Sequence, residues 1–115
     1  MSMTTKLNII RDIGGIPSYT LPQSNVIYTA LLSANTEQHV TAPIDAPQYV
    51  VVIGLSNGSD VMVSVNGTAA IPVGAFGAST SEVNIAQTYV KAGGTVSVIS
   101  PEDDVIISLA FYAVV

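Results

Sequence analysis

Residues 49–71, YVVVIGLSNGSDVMVSVNGTAAI, carry the strongest indication of the fold of this chain. An apolar run is followed by a run in which apolar and polar residues alternate, and 68–71 make a third short run, so we predict three strands. Asn57-Gly58 and Asn66-Gly67 separate the three runs. Asn-Gly favours a type I′ turn, because that turn needs a positive φ at both central residues. The stretch therefore predicts a three-stranded meander with type I′ turns.

The rest of the 115-residue chain also favours strands. It contains 16 Val, 12 Ile and 10 Thr but only 6 Leu, and branched side chains suit a pleated sheet better than a helix. Turn residues recur every ~8–12 positions, as in sandwiches and barrels. Residues 105–115 are apolar on both faces, which indicates a central strand that is buried on both faces. We predict an all-β fold of about eight strands, an antiparallel β-sandwich and in particular a jelly roll.

The chain length is that of one domain. We expect residues 1–22 to form an N-terminal strand and an extended arm that belong to this domain, and residues 23–115 to form the sandwich body. The segment 14–22 contains Gly14, Gly15, Pro17 and Pro22, whose turn chemistry suits an arm better than a central strand.

Charged residues make up only 10% of the chain, and the net charge is −5. With three basic residues there is no positive patch for phosphates, so we expect neither nucleic acid nor an anionic membrane as a partner. The chain has no cysteine, which excludes disulfides and thiolate metal sites. We see no export signal and expect synthesis in a cytoplasm.

Candidate catalytic groups are few. His39 is the only histidine, and its alternating strand provides no nucleophile or second metal ligand. Residues 101–104, PEDD, place three carboxylates in one turn, but their spacing differs from that of a calcium loop. We therefore predict no enzyme activity, no catalytic residue, no metal and no cofactor. A small hydrolase that uses the scattered carboxylates stays an alternative.

Several short sequence motifs follow one another along the chain: 7–12 LNIIRD, 33–39 SANTEQH, 65–72 VNGTAAIP and 109–112 LAFY. In that order, over nearly the whole chain, the sequence resembles small virion structural proteins of tailed bacteriophages. Some of these are head-decoration proteins, also called cement or staple proteins. The resemblance implies a virion protein on the capsid exterior, made in the host cytoplasm, whose partners are the major capsid protein and its own copies in a dimer or trimer. It implies no catalytic or binding residue.

A carbohydrate- or receptor-binding module of a phage tail is the alternative function, because jelly rolls are common scaffolds for such modules.

The first strand and the arm are the predicted partner-binding segment. The strand alternates poorly and leaves apolar residues on both faces of an edge, which a partner would have to cover. Arg11 is one of three cations, and its guanidinium suits a partner carboxylate. The alternative is that this strand pairs inside its own sheet and that the arm caps the end of the barrel. The predicted contact residues are Leu7, Ile9, Ile10, Arg11, Ile13 and Tyr19.

Overall fold

The computed structural model describes residues 3–11, 17–20, 23–56 and 58–114, with the side chains of 8–11 and 17–20 left out. Every regular element in these ranges is a strand. The strands are β1 Asn8–Arg11, β2 Pro17–Thr20, β3 Ile27–Leu32, β4 Gln38–Thr41, β5 Gln48–Leu55, β6 Met62–Val65, β7 Glu82–Val83, β8 Gln87–Lys91, β9 Thr95–Ile99 and β10 Val105–Val114. The predicted all-β class is confirmed.

Eight of these strands form two four-stranded antiparallel sheets. Sheet one has the order β3-β10-β5-β8, and sheet two has the order β4-β9-β6-β7. Almost every connection passes from one sheet to the other, and only β6 and β7 are consecutive strands of the same sheet. This arrangement confirms eight strands in two sheets and is compatible with a β-sandwich. The jelly roll itself stays a prediction, with which the strand order is consistent.

The core lies between the two sheets and is built by the alternation of strand residues. The odd-numbered residues of β10, from Val105 to Ala113, are all buried, and they form one cluster with Val51 of β5 and with Val63 and Val96 of sheet two. Phe111 is fully buried and makes edge-to-face ring contacts with Tyr28 and Tyr49, with centroids 5.7 and 6.3 Å apart. Burying a side chain of this kind stabilises the fold by about 1.5–3 kcal/mol.

The strand at 105–114 is central, as predicted, since it lies between β3 and β5. Its second face is only partly covered, because Ile106 is 59% exposed on the outer side of sheet one.

The predicted three-stranded meander is wrong. β5 belongs to sheet one and β6 to sheet two, so the Asn57-Gly58 connection joins two sheets instead of closing a hairpin. Residues 68–71 form no strand. Ala69 and Ile71 instead pack with Met62 and Ile99, whose side chains form a second cluster on sheet two. The apolar residues after β6 thus cover a sheet face, where packing removes apolar surface from water.

The predicted type I′ turn at Asn66-Gly67 is also wrong. Asn66 has a φ of 58°, but Gly67 does not lie in the left-handed region. Asn66 Oδ1 accepts a hydrogen bond from the Thr95 N–H at 3.0 Å, which holds the turn against β9. In the other turn Gly58 has the predicted positive φ, at 77°, while Asn57 lies outside the described residues.

Candidate interaction surfaces

The segment before β1 is fastened to the sandwich body. The N–H and hydroxyl of Thr4 donate to the two carboxylate oxygens of Asp45, at 2.5 and 2.9 Å. Leu7 N–H donates to the Ala113 carbonyl at 3.1 Å, and Ala113 N–H donates to the Thr5 carbonyl at 2.8 Å. Residues 4–7 therefore belong to the body and extend sheet one beside the end of β10.

Asp45 is the centre of this attachment. Its carboxylate also accepts the Tyr49 hydroxyl proton at 2.6 Å. The bonds from the Thr4 N–H and next from the Tyr49 hydroxyl lower the pKa of Asp45 to about 2. Burial, followed by the bond to Asp45, raises the pKa of Tyr49. At neutral pH this is an ionised carboxylate held by three donors.

Beyond Leu7 the chain forms a separate hairpin. β1 and β2 pair antiparallel with each other as a two-stranded sheet, from Asn8 opposite Thr20 to Arg11 opposite Pro17. Among the described strands, neither pairs with a strand of the sandwich. The first strand thus pairs within its own chain, in a two-stranded sheet separate from the sandwich, and the predicted arm contains the returning strand of this hairpin.

Four of the predicted contact residues, Ile9, Ile10, Arg11 and Tyr19, lie on the strands of this hairpin. Ile9 lies opposite Tyr19 in the register, with Ile10 and Arg11 following on β1. Leu7 is half-buried at the boundary with the body, and Ile13 lies outside the described residues. The structure thus brings Ile9 and Tyr19 together, a pairing that sequence separation alone does not indicate.

β3 is an exposed sheet edge that was not predicted from the sequence. β3 is the end strand of sheet one, and its residues, IYTALL, include no charge, proline or glycine. Ile27, Tyr28 and Leu31 are 39%, 42% and 63% exposed. The lack of charge does not distinguish β3 from the inner strands β9 and β10, which have no charged residue either, so the sequence has no signal for this edge.

A small cleft opens between β3 and β4, the neighbouring edge strands of the two sheets. Its cavity volume is about 40 Å³. The residues that line it include Tyr28, Ala30, His39, Val40 and Leu109. One water molecule needs about 10–15 Å³ on this measure, so the cleft has room for a few water molecules. It suits a single inserted side chain better than a sugar ring.

His39 and Glu37 form a polar group with Ser97 on sheet two. The Ser97 hydroxyl donates to Glu37 Oε2 at 2.5 Å, and His39 Nδ1 lies 3.2 Å from that same oxygen. The bond from Ser97 is the largest cause that lowers the pKa of Glu37. In a Ser-His pair the serine hydroxyl donates to the imidazole. Here the Ser97 hydroxyl donates to the Glu37 carboxylate, and His39 contacts the carboxylate, so the three residues do not form such a pair.

The carboxylates of 101–104 act as caps for neighbouring loops. Asp103 Oδ1 accepts the Ala34 N–H at 2.8 Å, and Glu102 Oε2 accepts the Asp60 N–H at 2.8 Å. Within the described ranges, no group of three or more His, Cys, Asp or Glu side chains could hold a metal ion.

The loop after Ile71 presents two exposed apolar side chains. Val73 is 97% exposed and Phe76 is fully exposed. The loop is rich in glycine, alanine and serine, and Gly74 has a φ of 96°. This is a second exposed apolar surface, remote from the hairpin in the sequence.

Comparison with known proteins identifies no relative: no protein-family model, no curated protein and no solved structure matches the chain. In the part of the chain that the structure describes, no helix is long and apolar enough to span a membrane.

Proposed function

We propose that this chain is a non-enzymatic virion structural protein that binds the exterior of a phage capsid as a decoration protein, with the β1–β2 hairpin contacting the major capsid protein. The observation that carries the proposal is the hairpin itself. It forms its own two-stranded sheet, and residues 4–7 fasten it to the sandwich body. A hairpin presented in this way can add its strands or side chains to a neighbouring protein.

The low charge of the chain supports the same function. Soluble globular domains carry about 25% charged residues, whereas this chain has 10%. Its exposed apolar side chains include Phe76 and Leu31, and apolar patches on a protein surface mark sites of association. The resemblance of the sequence to small phage virion proteins supports the choice of a capsid as the partner.

The hairpin can be deleted while the bonds that fasten residues 4–7 to the body are kept. Asn8 and Thr20 are Cα partners, and such partners lie about 4.5–5.5 Å apart. Residues 8–20 can therefore be replaced by two glycines that join Leu7 to Leu21, with Thr4 and Asp45 left in place. We expect this variant to fold, as judged by circular dichroism and thermal unfolding, and to lose co-sedimentation with heads that lack the wild-type protein.

Phe76→Ser is the matched control, because it removes an exposed apolar side chain from a different loop. We expect it to bind heads as the wild type does. Binding by the hairpin-deleted variant, or equal loss in both variants, would contradict the role of the hairpin.

The location of the protein tests the wider proposal. Mass spectrometry of separated heads and tails should find the chain in heads. Presence in tails together with binding on a glycan array would favour the receptor-binding alternative.

A further inference from the structure

Four strands form the edges of the two sheets, and three of them carry features that discourage pairing with another chain. β7 has only two residues, β4 has four and includes His39, and β8 ends at Lys91. Short length and charged residues are the usual protection of a sheet edge. β3 has six residues and no charge, proline or glycine, so it is the unprotected edge among the described strands.

The backbone of β3 is ready to accept a further strand. Phe111 N–H donates to the Val26 carbonyl at 2.9 Å, in the same register in which β3 pairs with β10. In an antiparallel ladder the bonded positions alternate, so the even-numbered residues of β3 bond to β10. The N–H and C=O groups of Ile27, Thr29 and Leu31 therefore point to the free edge.

We infer that β3 pairs antiparallel with β3 of a second copy about a two-fold axis, which makes a dimer with one continuous eight-stranded sheet. Centring the pair on Thr29 places Thr29 opposite the second copy's Thr29, and Ile27 opposite Leu31. In this register all the outward-pointing backbone groups face each other, and about six hydrogen bonds form.

The side chains fit this register on both faces. On the outer face, Thr–Thr and Ile–Leu are favourable cross-strand pairs. Leu31 is also the neighbour of Ile106 on β10, so the exposed apolar surface continues across the junction. On the inner face, Tyr28 lies opposite the second copy's Ala30, which puts a large ring, 42% exposed in the single chain, beside a small side chain.

The charge distribution permits contact between two identical copies. The chain has a net charge of −5, which opposes self-association in general. Neither β3 nor its neighbour β10 contains a charged residue. Two copies that meet at β3 therefore bring no like charges into direct opposition.

This inference extends the proposed function but uses a different part of the chain. The variant that lacks residues 8–20 keeps β3, so it should lose head binding and remain a dimer. Failure of the capsid proposal and failure of the dimer are thereby distinguishable.

Thr29→Lys tests the interface, because it places two lysines opposite each other at the two-fold axis. Gln87→Lys is the matched control: it adds the same charge to the outer face of the same sheet, on the opposite edge strand β8. Sedimentation velocity should give twice the 11.9 kDa chain mass for the wild type and for Gln87→Lys. Thr29→Lys should be a monomer of unchanged circular dichroism, with a dissociation constant raised at least about tenfold.

A charge exchange completes the test. Thr29→Glu alone should also be monomeric, and an equal mixture of Thr29→Lys and Thr29→Glu should form a dimer. Hydrogen exchange should show protection of the Ile27, Thr29 and Leu31 amides that is lost in the monomeric variants. A monomeric or trimeric wild type, a dimeric Thr29→Lys, or no dimer in the mixture would overturn the inference.

Discussion

The Tyr49 hydroxyl donates to Asp45 Oδ1 at 2.6 Å and accepts the Ala46 N–H at 2.8 Å. Tyr49 is fully buried beside Phe111, while Asp45 is partly exposed and also holds Thr4. One carboxylate therefore links the core ring to the N-terminal segment. The Asp45 carboxylate therefore contributes both to the stability of the body and to the attachment of the hairpin.

Asp45→Asn should lower the melting temperature at pH 7, because the amide cannot accept three donors as a carboxylate does. The separate variant Asp104→Asn is the control, since that residue lies in an exposed turn. Equal melting temperatures for Asp45→Asn and the wild type would show that the attachment contributes nothing.

Asp45 also predicts a pH dependence. Its pKa is lowered to about 2 in the folded chain, against about 3.9 in an unfolded chain. The stabilisation is therefore complete above the unfolded value and is lost as the pH falls from about 4 towards 2. Thermal unfolding across this window should show a steeper loss for the wild type than for Asp45→Asn. If the melting temperatures of the wild type and of Asp45→Asn fell equally with pH, the pH dependence could not be assigned to Asp45.

Gly58→Ala should destabilise the fold by about 1–2 kcal/mol, because a residue with a Cβ is strained in the left-handed region. The φ of Gly58 is 77° and no atom lies within 4 Å of an added Cβ, so conformational strain is the cause. Gly77→Ala has the same open surroundings without a left-handed φ. Urea unfolding should show a loss of stability for Gly58→Ala and none for Gly77→Ala. Equal losses in the two variants would show that strain at Gly58 is not the cause.

Gly67→Ala should destabilise the fold for a different reason. A Cβ at Gly67 would lie 2.7 Å from Ser64 Oγ, a contact that must move. Since Ser64 is buried, its hydroxyl has little room. The double variant Ser64→Ala/Gly67→Ala should therefore lose less stability than the sum of the single variants. Simple additivity in urea unfolding would exclude this contact as the cause.

Ser97→Ala should cost about 1–3 kcal/mol, because it leaves a buried backbone N–H without its acceptor. That group is the N–H of Ala69, which donates to Ser97 Oγ at 2.8 Å. Glu37→Gln keeps this bond and retains an acceptor for the Ser97 hydroxyl, so it should cost less. Denaturant unfolding compares the two variants, and a larger loss for Glu37→Gln would be the contrary result.

The candidate surfaces were only partly predictable. The residues of the hairpin, such as Ile9 and Arg11, were predicted as a contact segment from poor alternation. The hairpin's independence from the body sheets, and the pairing of Ile9 with Tyr19, came from the structure. The free edge at β3 was not predicted, because alternation in a strand does not depend on whether one or two neighbours flank it.

The sequence by itself determined that the chain is all-β, where most strands lie, and that 105–114 is central. These properties follow from β-branched composition and from the period of two, which are local. The tertiary structure decided which strands are neighbours. It placed β5 and β6 in different sheets and put β10 between β3 and β5. Backbone donors and acceptors are alike at every residue except proline, so strand pairing depends on how all the apolar faces are buried together. No short stretch of sequence contains that information.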